Sequence, residues 1–330
     1  MQQSLYKNEK NTDMSENKRI IWAWFPVTLA TAVFCCVLWG SASPAIKIAY
    51  ELFRISPDDT ASRILLAGTR FIIAGLMIIA FGSLQGKKFL IPKASSWKYV
   101  LILSLFQTIG QYYFFFMSLA HTTGVRGSII NASGNFLTIL FAAFIFRLER
   151  MNLKKAIGCV TGFLGIILIV GGGGALREGG RITLAGEGAM LAAAFFYALS
   201  GCCIKLFSRN ENPVALSAWQ FLIGGAVLAL IGKFMGGTLV FYSSGCVLNL
   251  LYMGFISAGA YTLWGILLKY NPVSRVSILG FLNPVMGVLL SAIFLGENRE
   301  AFSLTGLAAL LLVSAGIVIV NISFKTNREA

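Results

Sequence analysis

The sequence predicts an all-α membrane protein with ten transmembrane helices arranged as two inverted five-helix repeats. Three observations predict it. The chain has 330 residues, of which 57% are hydrophobic and 12% charged, about half the charge of an ordinary soluble domain. Its apolar residues fall in ten blocks, each long enough to supply the roughly 20 residues that a bilayer crossing needs. Segments 113–149 and 261–297 also share residues at one fixed offset of 148. The pairs are Tyr113/Tyr261, Val125/Val273, Ile130/Ile278, Asn135/Asn283, Ile145/Ile293, Phe146/Phe294 and Glu149/Glu297.

Residues 1–24 are polar and mixed in charge, without the apolar run and cleavage site of a signal peptide. They read as a cytoplasmic tail, with Trp22, Trp24 and Phe25 at the membrane interface. The expected spans are 27–46, 64–83, 99–119, 127–146, 156–174, 187–206, 214–232, 246–267, 276–295 and 303–322. They divide into a first repeat, 25–175, and a second, 176–323, followed by a short tail, 324–330. The repeat reaches beyond the offset of 148. Ile46/Ile204 and Lys47/Lys205 match at 158, and Phe71/Phe221, Ile73/Ile223, Gly75/Gly225 and Gly82/Gly232 match at 150. The changing offset places insertions in loops, the clearest being 51–62 in the first half. Five spans per copy, an odd number, turns the second copy upside down, the plan of many transporters.

The net charge is +14, which in a soluble protein would suggest nucleic acid. Its distribution gives another meaning. With the N-terminus inside, about 18 Lys and Arg fall on the cytoplasmic side and about 8 outside, as the positive-inside rule requires. Both termini are therefore expected in the cytoplasm, the protein in the inner or plasma membrane, and no nucleic-acid partner. All six cysteines lie in or beside spans without a Cys-x-x-Cys pair. They read as buried thiols, not a metal site or a disulfide framework. Oligomeric state is left open.

No Asp lies in any span, and no Glu lies mid-span. That leaves the expected cavity neutral to positive, suited to zwitterions, neutral metabolites or anions better than cations. It also weighs against membrane-embedded enzymes. An aspartyl intramembrane protease would need two membrane aspartates, and a bis-histidine haem two histidines where only His121 exists. No channel-type TVGYG filter is present, and no cofactor or metal is expected.

Two stretches resemble a known family. WGSASPAIK (39–47) is similar to the opening motif of EamA-type transporters of the drug/metabolite transporter superfamily. AYTLWGILLKYNPVSRVSILGFLNPVMGVLLSAIFLGENRE (260–300) resembles that family's most recognisable stretch, with its Tyr-x-x-Trp, an Asn-Pro in span nine and a Leu-Gly-Glu exit. FIFRLER (144–150) is the weaker first-half counterpart. The resemblance covers about 30–322 and implies ten helices, a central cavity and transport of small organic solutes, often export. The first half departs from it, with Asn135-Phe136 against Asn283-Pro284, and Arg147-Leu148-Glu149 against Leu-Gly-Glu. An amino acid or related compound, exported, is the leading expectation. A sugar-like or phosphorylated metabolite is the alternative, and a membrane-embedded enzyme the reading from another class.

Arg70 is the foremost candidate site residue, because a charge inside a span costs at least ~2.5 kcal/mol unless it meets water or a partner. It reads either as an anion contact or as an arginine that snorkels or bonds helix carbonyls. Gln107, Gln111, Asn131, Asn135 and Asn283 are uncharged amides in spans, which want partners. Tyr197, Tyr261 and Trp264 would line an aromatic pocket. Lys47, Lys205, Glu149 and Glu297 end equivalent spans and read as alternating gates, or as interfacial anchors and helix-end contacts. Pro44 and Pro284 interrupt spans one and nine, exposing carbonyls to a cavity or merely shaping packing.

Overall fold

Backbone amides in hydrocarbon must bond within their own segment, and for an apolar chain without strand alternation that means helices. The computed structural model describes residues 21–148, 150–172, 183–207, 211–271, 276, 279, 280 and 282–321. Among them every regular element is helical. Eight helices are long and apolar enough to cross a membrane: Phe25–Leu52, Thr60–Gly86, Ala94–Leu119, Gly124–Ile145, Leu153–Val170, Leu184–Phe207, Pro213–Phe234 and Ser244–Trp264. Two shorter apolar helices follow, Leu282–Leu295 and Leu304–Val320.

The first crossing is broken. Helix α1 (Phe25–Gly40) hands over to α2 (Ala42–Leu52) through Ser41. Pro44 has no N–H to give the Gly40 carbonyl four residues back, so the expected break appears ahead of the proline. At the junction Ser41 donates its hydroxyl to the Leu38 carbonyl at 2.8 Å and lies 2.7 Å from the Tyr252 hydroxyl. Asp59 caps Ser62 N–H at 2.9 Å and starts α3 (Thr60–Gly86) four residues before the expected span. The loop expected over 51–62 shrinks accordingly.

The third crossing joins α4 (Trp97–Leu103), a π-helical stretch (Ser104–Gln111) and α5 (Tyr112–Leu119). The fourth is α6 (Gly124–Asn131) and α7 (Ser133–Leu140) with a π-turn to Ile145. Then come α8 (Leu153–Gly172), α9 (Ala189–Phe207), α10 (Pro213–Phe234), α11 (Ser244–Tyr270), α12 (Leu282–Leu295), the short α13 (Asn298–Ala301) and α14 (Leu304–Asn321). Pro284 sits in the first turn of α12, where proline removes no helical bond.

Small residues decide the packing, as they do in lipid, where apolar attraction between helices is weak. Helix α3 lies against α10, and α8 against α14. A Cβ on Gly68 would meet the Ala229 backbone at 2.2 Å, one on Gly75 the Leu222 nitrogen at 2.7 Å, and one on Gly232 the Leu65 nitrogen at 2.5 Å. Numbers rise along α3 as they fall along α10, so the pair is antiparallel. The same holds where Gly158 meets Val320 and Gly165 meets Ala309. Helix α11 covers α3 and α1, while α12 covers α1 and α6. All six cysteines are buried.

Candidate functional site

A polar cluster lies in the middle of this bundle. Arg70 sits on α3 about 15 Å along the axis from Thr60 and is 1% exposed. Its Nε donates to the Met253 carbonyl at 3.1 Å, and its Nη2 to the Ser257 hydroxyl at 3.1 Å, both on α11. Its Nη1 is buried with no partner. The guanidinium faces the rings of Phe71, Tyr112 and Phe116 at 5.0, 5.7 and 5.8 Å.

The π-helical stretch brings its own amides to the neighbouring elements. An extra residue per turn is a common local distortion at functional sites. Gln107 accepts from Gln220 at 2.6 Å and donates to the Tyr261 hydroxyl at 3.2 Å. Thr108 donates to the Gln220 side chain at 3.0 Å. The Tyr112 and Tyr261 hydroxyls lie 3.4 Å apart. Trp39 packs edge-on against Tyr261 at 5.7 Å and against Trp264 at 5.1 Å. Gln111 is buried, its Oε1 accepting nothing. Gln220→Leu should strand the Gln107 carbonyl oxygen and cost about 1–3 kcal/mol. The expected result is a lower thermal midpoint, largely restored when Gln107→Leu is added.

Of the residues singled out in the sequence, Arg70, Gln107, Tyr261 and Trp264 belong to this aromatic and amide region, with Gln111 on the same π-helical stretch. Tyr197 lays its ring on Gly134, so that a Cβ there would meet it at 2.7 Å. Asn135 bonds back to the Ala132 carbonyl in its own turn at 3.3 Å. Asn131 and Asn283 are half-buried on α6 and α12. Sequence reasoning passed over Gln220, although the rule that found Gln107, an amide inside a span, applies to it equally. Trp39 and Tyr112 carried no comparable signal among so many aromatics.

One end of the bundle is tied by charge. Glu297 accepts from the backbone N–H of Gly124 at 2.9 Å and of Val125 at 2.8 Å, capping α6 from the end of α12. Lys47 of α2 stands 3.8 Å from the same carboxylate. Arg126 bridges Glu300 and Glu187, the latter at 3.5 Å. Glu187, 4% exposed, also accepts from the Thr122 hydroxyl and the Thr183 N–H. Arg63 reaches the Asp59 carbonyl, Thr60 and His121. A cavity of about 360 Å³ opens here, lined by Lys47, Tyr50, Glu51, Leu119 and Glu297 among others. Lys205 is exposed at the far end of α9, about 27 Å from Glu187. Glu149 lies outside the described residues. The Glu187 knot had a faint signal in sequence: Thr183 caps Gly186 while Glu187 returns to Thr183, a capping box lengthened by one residue across the π-turn at Leu184–Gly188.

Comparison with known proteins agrees with this architecture. The profile of the EamA-like transporter family matches residues 27–171 and again 184–322. A probable amino-acid metabolite efflux pump of Salmonella typhimurium is 28% identical over 91% of this chain and 96% of its own length. A protein of the same description in Escherichia coli is 26% identical over 87% of this chain and 92% of its own. An uncharacterized transporter of Bacillus subtilis is 25% identical over 92% of this chain and 94% of its own. Matched twice along nearly its whole length, the chain belongs to the EamA-like transporter family.

Proposed function

We propose that the protein is a ten-span secondary transporter, built of two inverted five-helix repeats, that exports a small amino-acid-related metabolite by alternating access. One observation carries the reading: packed helices touch through contacts that the repeat offset exchanges. Gly75 faces Leu222 while Gly225 faces Ile72, and Gly75 faces the Ala218 carbonyl while Gly225 faces that of Gly68. Adding 150 to the first-half member and subtracting 150 from the second-half member converts each contact into the other. Phe71 meets its own repeat partner Phe221 at 5.2 Å. In α8 and α14 an offset of 158 does the same, with Gly158 against the Gly316 carbonyl at 2.8 Å and Gly316 against that of Gly158 at 2.7 Å. Self-complementary contacts of this kind accompany a two-fold axis. Between antiparallel helices that axis runs across them, in the membrane plane, as inverted repeats require.

In this reading both termini are cytoplasmic in the plasma membrane, and the Glu297 end is external. The same end, where Lys47, Glu297 and the Arg126 knot tie the helices beside the cavity, is in this reading the external gate. The central cluster of Gln107, Gln111, Tyr261 and Trp264 forms the substrate compartment, with Tyr197 on the neighbouring α9 and Asn131, Asn135 and Asn283 along the moving helices. Glu149 and Lys205 belong to the opposite, cytoplasmic end. Amino-acid-related cargo is supported by the absence of mid-span carboxylates and by the two relatives described as efflux pumps. Counterflow of labelled amino acids and their derivatives in proteoliposomes tests it. Saturable exchange is expected. No exchange across the panel, or single-channel current at fixed voltage, would refute it.

A further inference from the structure

We infer that the Nη1 face of Arg70 is the seat of a carboxylate carried by the transported metabolite. The inference rests on the transporter reading and narrows it to acidic or zwitterionic cargo.

Arginine keeps its charge in a protein, so it cannot escape burial by losing a proton. A buried charge lacking a counter-ion is costly, and buried arginines normally find acids. Arg126 meets Glu187 and Glu300. Arg63 sits at the tied end among the Asp59 carbonyl, Thr60 and His121. Arg63, buried as deeply, also bonds only neutral groups but lies within the field of Asp58 and Asp59. Arg70 bonds two neutral acceptors, and tyrosines are the only charge-bearing side chains acting on it. No carboxylate pairs with it among the described residues. Its third nitrogen, buried, has no hydrogen-bond partner. The aromatic faces of Phe71, Tyr112 and Phe116 spread around the guanidinium but offer only partial compensation. The guanidinium is therefore fixed in place by two bonds and has three N–H groups left over, two of them on Nη1. A planar carboxylate is its natural complement.

A route to this seat is also visible. Tyr50 lines the cavity at the Glu297 end together with Lys47. Its hydroxyl bonds the Phe116 carbonyl at 2.7 Å, and its ring lies edge-on to that of Phe116. Phe116 in turn faces Arg70. One aromatic layer, Tyr50 with Phe116, separates the Arg70 seat from a cavity that carries a second cation. An anion released from Arg70 would pass this layer into a cavity where Lys47 stands beside the carboxylates of Glu51 and Glu297.

The test reads binding without flux. The purified full-length protein is melted in detergent with acetate, propionate or benzoate, with the corresponding amides, and with chloride at equal ionic strength. The wild type should gain roughly 2–5 °C with at least one acid over its amide and over chloride. Arg70→Lys should keep part of that gain. Arg70→Gln should lose it while melting, without ligand, no lower than wild type. Acids that act no better than their amides, or an acid preference surviving in Arg70→Gln, would overturn the assignment. A chloride response equal to that of the acids would assign the seat to an inorganic ion instead of cargo. If Arg70→Gln does not purify, hydrogen exchange of the wild type decides. The acid, not the amide, should protect 66–74 and 250–260, and protection elsewhere only would refute the seat. Acid-specific binding without counterflow would sink the transporter reading alone. Counterflow without any acid preference would sink the Arg70 seat alone.

Discussion

Glu297→Gln is expected to unlatch the Glu297 end of the protein. The carboxylate accepts two backbone N–H bonds at the start of α6, and bonds to a charged acceptor contribute about 1.5–3 kcal/mol each. Glutamine keeps one acceptor oxygen and replaces the other with a donor, which repels the second N–H. A loss of about 2 kcal/mol moves a two-state equilibrium roughly thirty-fold toward the open form. Lys47 contributes less. Its partner distance is 3.8 Å and both side chains keep some solvent contact, so Lys47→Met should cost no more than about 1 kcal/mol. The readout is the labelling rate of Ile48→Cys, a cavity position, by an impermeant maleimide added outside. The native thiols are buried and give little background. The rate should rise tenfold or more in the Glu297→Gln background and less in Lys47→Met. Equal rates in folded wild type and Glu297→Gln would remove the latch from the account.

Gly68→Leu is expected to prevent assembly of the bundle. A Cβ at this position would stand 2.2 Å from the Ala229 nitrogen and 2.6 Å from the Gly225 carbonyl. Both are backbone atoms, so no rotamer change relieves the clash and α3 and α10 must separate. Overpacking in a well-filled interior costs about 1–3 kcal/mol when side chains can move, and here they are not what blocks. A loss above about 3 kcal/mol is expected, read as absence of a monodisperse peak in size-exclusion chromatography. Gly82→Ala is the control, because its Cβ meets only the flexible end of Leu90 at 2.7 Å. It should purify with a midpoint near that of wild type.

These two sites show what a sequence reveals and what it withholds. Eight spans are legible because a bilayer demands long apolar helices, and hydropathy finds them; the ninth and tenth expected spans are shorter apolar helices. Their ends are less so. The start of α3 moved to Thr60 because Asp59 caps it, and the break near Pro44 appeared at Ser41 because proline acts on the carbonyl four residues back. Arg70 stood out for its cost in lipid. Gln220 answered to the same reasoning as Gln107 and was missed. The pairing of Glu297 with the start of α6 joins residues more than 170 positions apart, and no local pattern announces it. Gly68 and Gly75 could be seen as small residues, but only the packed helices show that they face backbone instead of lipid.

Alternating access is tested most directly by locking the Glu297 end. A Cβ built on Gly124 lies 3.1 Å from that of Ser291 across the α6–α12 contact, a few tenths of an ångström inside the range disulfides adopt. Gly124→Cys with Ser291→Cys should therefore oxidise to a cross-link after a small adjustment. Counterflow in proteoliposomes should stop in the oxidised protein and return on reduction. Counterflow that continues unchanged with the bond shown to be formed would contradict the account.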